Sequence, residues 1–272
     1  MNVFFRLMLL VLCTPLAFVF GQQIEDSIPK HDTFIIQSKV MNENRVINVW
    51  LPPTYKLLQD SLPVMYMADG GVKEDFPHIA NTLAKLIEEG KIAPLILVGI
   101  ENTQRRRDLT GKTESAKDKK IAPLVGGSEI FRAFIQQELF IEVNKRYKVT
   151  DERTIIGESL SGLFVMETFF LTPDLFDNYI AFDPSLWWNK HFLVKTASKN
   201  LAKLPPSKIR LWFAGSSAKD ISIYTRKMKN ILAHSHCENL AWQYSDEPTE
   251  THATIFRSTK EKAILWTLGN GK

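Results

Sequence analysis

The sequence predicts an α/β fold built on a mainly parallel sheet of about eight strands, with helices on both faces. Three observations predict it. Short β-branched runs alternate with helix-length apolar patterns over roughly two hundred residues, as repeated strand–helix units require. A turn-rich tetrapeptide near the N-terminal side separates two such runs too closely for a crossover, so that pair is an antiparallel hairpin. Residues 94–100 (P-L-I-L-V-G-I) are unbrokenly apolar, as expected of a strand covered on both faces.

In chain order, residues 32–40 (D-T-F-I-I-Q-S-K-V) and 45–51 (R-V-I-N-V-W-L) flank M-N-E-N and form the hairpin, which Pro52 and Pro53 end. Residues 63–67 form a brief strand leading into A-D-G-G. Residues 76–89 follow with helical spacing at Ile79, Leu83, Leu86 and Ile87. After the strand at 94–100, residues 101–127 are polar, basic and rich in turn residues, too long for an ordinary connection, and such loops are usually functional or disordered. A helix opens at Ser128, a capping residue, with Ile130, Phe131, Phe134, Ile135, Leu139 and Ile141 on one side. Strands at 153–157, 179–182, 208–214 and 239–244 then alternate with helices at 160–171, 220–234 and 254–268 and a polar helical stretch between 188 and 208. No internal repeat or low-complexity tract interrupts the pattern.

The 272 residues carry 44% hydrophobic and 24% charged side chains, ordinary values for a globular chain that buries a sizeable core. No composition shift divides the chain, so residues 22–272 are expected to form a single domain. Residues 1–21 place Arg6 before an apolar run at 7–20 that Thr14 and Pro15 interrupt and small Gly21 closes. This is the pattern of a cleaved signal peptide rather than a span, and it predicts a secreted or periplasmic protein without stable membrane insertion. Cleavage would leave Cys237 as the one cysteine, which excludes an intrachain disulfide. The formal charge of +4 is too small to argue for nucleic acid, although residues 105–120 hold seven Lys or Arg against three acids.

Chemistry in an open α/β sheet lies beyond the carboxyl ends of the strands. There, residues 157–162 read G-E-S-L-S-G between a strand and a helix, where small neighbours let the chain bend sharply and present Ser159 as a nucleophile. A serine hydroxyl needs a base to take its proton, and the base needs an acid to fix its tautomer. Of the four histidines that follow, His191 opens a polar helix and His234 and His236 sit at a helix end, where a pair two apart does not share a face to hold a metal. His252 alone stands in a loop just beyond a predicted strand. In the chain order serine, acid, histidine, Asp220 is the first carboxylate after the preceding strand; Asp246, Glu247 and Glu250 are its rivals, and Asp220 also suits a helix N-terminus. Oxyanion donors are expected from the backbone N–H groups of Leu160, at the start of its helix, and of Gly71, in the glycine pair after the strand at 63–67.

These segments together resemble the esterase branch of the α/β-hydrolases, which includes siderophore esterases, S-formylglutathione hydrolases, feruloyl esterases and mycolyltransferases. V-M-Y-M-A-D-G-G (64–71) looks like the family's strand and oxyanion turn, and V-G-I-E-N-T-Q-R-R-R-D-L-T (98–110) is similar to its V-G-I-x-N-T-x-R-x-R-D-L-T-P segment. G-G-S-E-I-F-R-A-F-I-Q-Q-E-L (126–139) resembles its long helix, G-E-S-L-S-G-L-F its G-H-S-x-G-G-L-F elbow, and Y-I-A-F-D-P-S-L-W-W its Y-I-A-x-S-P-S-L-W-W. The resemblance implies an α/β-hydrolase fold, Ser159 as nucleophile, His252 as base, Gly71 and Leu160 around the oxyanion, and Arg107 and Trp187 in the substrate pocket. It implies hydrolysis of a small-molecule carboxylic ester through an acyl-enzyme, with no metal or cofactor; the basic loop suits an anionic ester such as a siderophore lactone. Acyl transfer, or a non-catalytic binding role on the same fold, are the rival expectations. The chain departs from the family pattern at Glu158, where histidine is commoner, at Ser161, in place of a glycine, and at Gly111, in place of proline.

Overall fold

The computed structural model describes residues 26–270 apart from 58 and 122, so the signal-peptide reading of residues 1–21 lies outside the described residues. The elements run β1 (Asp32–Ser38), β2 (Glu43–Trp50), β3 (Leu62–Ala68), α1 (Phe76–Glu88), β4 (Ile96–Ile100), α2 (Arg105–Asp108), α3 (Ala116–Ile121) and α4 (Ser128–Phe134). A π-helical turn (Ile135–Leu139) joins α4 to α5 (Phe140–Arg146). Then come β5 (Val149–Glu158), α6 (Leu160–Leu171), β6 (Asn178–Phe182), α7 (Trp188–Leu201), β7 (Ile209–Gly215), α8 (Lys219–Ala233), β8 (Leu240–Asp246) and α9 (Ile255–Leu268).

All eight strands form one sheet in the order β1-β2-β4-β3-β5-β6-β7-β8. The β1–β2 hairpin and the β2–β4 pair are antiparallel and the rest of the ladder is parallel. Strand side chains point alternately to the two faces. Val64, Tyr66 and Ala68 therefore join one core, with Phe131, Phe134, Phe164 and Met228 from the helices of that face. Met65 and Met67 join the other core, with Phe76, Ile79 and Leu83 of α1 and Ile255 and Ile264 of α9. Helices thus cover both faces, as the unbroken apolar run of β4 requires. Among the described residues no helix is long and apolar enough to cross a membrane.

The basic stretch at 101–127 is folded against the body rather than structureless. Arg45, fully buried in β2, donates to Asp108 Oδ2 and Glu43 Oε1 at 2.7 Å each and lies 5.1 Å from the Phe131 ring centroid. Further along, Trp188 Nε1 donates to the Gly111 carbonyl at 2.9 Å. Asp118 accepts hydrogen bonds from Thr113 Oγ1 (2.7 Å) and the Asn189 N–H (2.8 Å). That last contact fastens the first turn of α7, where Asn189, Lys190 and His191 all have left-handed backbones with φ of 48°, 51° and 54°. Non-glycine residues adopt this conformation only where surrounding contacts hold it.

Candidate active site

Ser159 sits at the end of β5 with φ 60° and ψ −114°, a conformation that costs free energy and is held by its neighbours. Its N–H donates to the Phe182 carbonyl at 3.0 Å, and its carbonyl accepts from the Ser185 N–H at 3.1 Å and the Leu163 N–H at 2.9 Å. The elbow is thereby pinned to the end of β6. Gly157 is required because a Cβ there would collide with Ser161. The Ser161 hydroxyl is itself buried without a hydrogen-bond partner. An unpaired buried hydroxyl is a cost, and alanine favours a helix more than serine does, so Ser161→Ala is expected to stabilise the protein by about 1 kcal/mol. A thermal-melt comparison with the wild type checks this.

The structure brings Ser159 and His252 together across 93 residues of chain, with Oγ and Nε2 3.0 Å apart. The other ring nitrogen, Nδ1, lies 2.9 Å from Asp183 Oδ2. With Nδ1 carrying its proton toward that carboxylate, Nε2 is left free to accept the Ser159 proton. Asp183 is fully buried at the end of β6 and also accepts from the Ser216 N–H and Ser216 Oγ, both at 2.6 Å. The hydrogen bond to Asp183 raises the His252 pKa against the opposing effect of burial, and the charges of Glu158, Asp183 and Asp220 add to the rise.

The carboxylate against His252 is therefore Asp183, not the expected Asp220. Asp220 stands in the first turn of α8 and reaches the ring only through space. The rivals are engaged elsewhere: Asp246 pairs with Arg226, Glu247 with Lys262, and Glu250 accepts from Ser258 Oγ. Asp183 follows β6, one strand before the β7 that precedes Asp220. The signal was present in F-D-P-S, a carboxylate immediately after an apolar strand at the position where the family pattern has serine.

Arg107, expected in the substrate pocket, is held by acids instead. Its Nε donates to Asp108 Oδ1 at 2.6 Å and its terminal nitrogens to both Glu43 oxygens, so its charge is committed to the Arg45 network. It is Arg105 that faces the site, clamped on Asp69 through Nε (2.5 Å) and Nη2 (2.7 Å). Lys112 and Lys119 pair with Glu129 and Glu114, so much of the loop's charge is balanced locally. Trp187 is half-buried beside Trp188, two residues past the Ser185 that holds the elbow.

Of the expected oxyanion donors, Leu160 is the first residue of α6, where N–H groups have no intrahelical acceptor. The Gly71 N–H donates to Glu74 Oε2 at 2.7 Å, and Asn102 Nδ2 donates to Glu74 Oε1 at 2.8 Å, so a substrate oxygen at Gly71 would have to displace a carboxylate. The same end of the sheet carries two carboxyl groups with raised pKa values. Burial pushes Asp75 up to about 6, with Asp69 adding to it. Burial pushes Glu158 up to about 7, opposed by His252 and Arg105. Among the described residues no group of three or more His, Cys, Asp or Glu side chains is arranged to hold a metal ion.

The sheet order and the serine turn at a strand end define an α/β-hydrolase fold, and solved structures agree. The BES protein from Bacillus cereus superposes with a TM-score of 0.77 at 22% identity, over 91% of this chain and 98% of that one. An IroE-like serine hydrolase from Shewanella oneidensis gives 0.77 at 23% identity, over 87% and 79% of the two chains. The family model described as "Putative esterase" matches residues 38–266, and the chain belongs to this esterase family. Ferri-bacillibactin esterase BesA of Bacillus subtilis is 32% identical over 184 residues, which are 62% of this chain and 63% of BesA. The match thus spans less than two thirds of that relative's length.

Proposed function

We propose that the protein is a serine esterase that hydrolyses a carboxylic ester through an acyl-enzyme on Ser159. The observation that carries this reading is the chain of contacts from Ser159 Oγ to His252 Nε2 (3.0 Å) and from Nδ1 to Asp183 (2.9 Å). As Oγ attacks the ester carbonyl carbon, Nε2 takes its proton; the tetrahedral intermediate then collapses, the C–O bond to the alcohol breaks, and the imidazolium returns the proton to the leaving oxygen. A water molecule repeats the cycle: Nε2 takes its proton, its oxygen attacks the acyl carbon, and Oγ leaves with the proton as the acid is released. The buried Asp183 carboxylate holds the ring in the required tautomer and stabilises its charged form. The N–H groups of Leu160 and Gly71 are the donors for the developing oxyanion, Gly71 after Glu74 has moved aside.

For the substrate, we favour a siderophore ester, a reading supported by the likeness to BesA. With residues 1–21 acting as a signal peptide, the reaction takes place outside the cytoplasm. A fluorophosphonate probe is expected to label the wild type at Ser159 and to leave Ser159→Ala unlabelled, as read by mass spectrometry of the modified peptide. Absence of labelling on folded wild type would point to a binding protein instead. Hydrolysis of a panel of esters, siderophore lactones included, with and without added alcohol, separates transfer to water from transfer to another acceptor.

A further inference from the structure

Two carboxylates, not one, converge on the same nitrogen of His252. Asp183 Oδ2 takes the hydrogen bond at 2.9 Å, and Glu158 Oε1, at the end of the neighbouring parallel strand, lies 3.5 Å from Nδ1. Glu158 is the last residue of β5, immediately before the nucleophile, and the ladder pairs it with Phe182, the residue before Asp183. The two acids therefore reach the same ring nitrogen from adjacent strand ends by virtue of strand register. The Glu158 carboxylate thus lies within ion-pair distance of the ring that Asp183 holds.

On the reading of the site as a serine esterase, we propose that Glu158 is a positioning residue that acts through His252, supplying a second negative charge that makes the imidazole more basic and ties that basicity to the protonation of Glu158. One N–H can serve only one acceptor at full strength, so Asp183 fixes the tautomer and Glu158 contributes charge. The groups facing this pair are Asp183 and Asp220 toward the ring, and Asp75, Asp183 and Arg105 toward the Glu158 carboxyl. Burial pushes the Glu158 carboxyl up to about 7, so its charge changes near neutral pH, and each group's protonation acts on the other's. When Glu158 is ionised, its charge adds to that of Asp183 in stabilising the imidazolium formed during proton transfer. As pH falls, Glu158 takes a proton and this support is withdrawn.

The test follows the His252 ring by NMR in ¹⁵N-histidine-labelled protein, assigned with His252→Gln. In Glu158→Gln the imidazole midpoint is expected to fall by about one pH unit, a tenfold loss of proton affinity. Glu158→Asp, which keeps the charge farther from the ring, is expected to fall in between. The acid limb of kcat/KM should move in the same direction with KM unchanged. A midpoint in Glu158→Gln within about 0.2 pH units of the wild type overturns the proposal, as does an Asp variant that behaves like Gln. Because the ring titration needs no turnover, failure of the esterase reading, seen as an unlabelled Ser159, is distinguishable from failure of this one.

Discussion

Replacing Asp183 with asparagine is expected to lower kcat by about ten thousand-fold, whereas Asp220→Asn stays within about twofold of the wild type. The asymmetry follows from contact. Asp183 is fully buried, 2.9 Å from Nδ1, and oriented by the Ser216 N–H and hydroxyl. An amide at that position can present its NH2 group toward the ring, which turns the Nδ1 proton into a clash and favours the tautomer whose Nε2 cannot accept from Ser159. Asp220 loses only a charge felt through space. Steady-state kinetics on an ester that the wild type turns over decides the matter. An Asp220 variant as crippled as the Asp183 variant would show that direct contact with the ring does not single out the acid.

The largest stability effect is expected at Arg45. Its guanidinium and the Asp108 carboxylate are both fully buried, and Glu43, Thr103 and Arg107 complete the network around them. Removing one partner of such a pair leaves a desolvated charge behind, so Arg45→Met is expected to cost about 3–5 kcal/mol, measured by urea unfolding. The network also gives the protein an acid-sensitive component. Burial favours the neutral form of Glu43, but hydrogen bonds from Arg107, Arg45 and Thr103 outweigh it and hold the pKa down to about 2 from an ordinary 4.5. Because the folded value is the lower one, this contribution is fully present above pH 4.5 and is lost as the pH falls toward 2. The wild type should therefore lose stability across that window more steeply than Arg45→Met, which has one donor fewer. Equal slopes would show that Arg107 alone sustains the depressed Glu43.

Much of the fold was legible because its signals are local. Alternating apolar runs located each strand to within a few residues, and the turn tetrapeptide before Arg45 announced the hairpin. Ser159 and His252 stood out because small residues and a strand end mark them in the sequence itself. What decides the acid is different in kind: Asp183 and Asp220 both follow strands, and only the direction of the Asp183 side chain, set by its own backbone φ of 41°, selects between them. The loop at 101–127 was legible as long and basic, but not as inwardly paired, since Glu43 and Asp69, which take up Arg107 and Arg105, lie far away in sequence. The left-handed turn at Asn189, Lys190 and His191 carries no glycine to betray it; the cause is Asp118, more than sixty positions earlier.

The parallel ladder also sets the order in which a working site comes into being on the ribosome. Ser159 and Asp183 directly follow the neighbouring strands β5 and β6 and emerge within one strand–helix–strand unit of each other. His252 follows Asp183 by 69 residues, on the segment after β8, an edge strand and the last to be made. Chains fold as they are synthesised, N-terminal parts first. A nascent chain thus carries its strained serine turn and its buried acid well before His252 and the final helix are made.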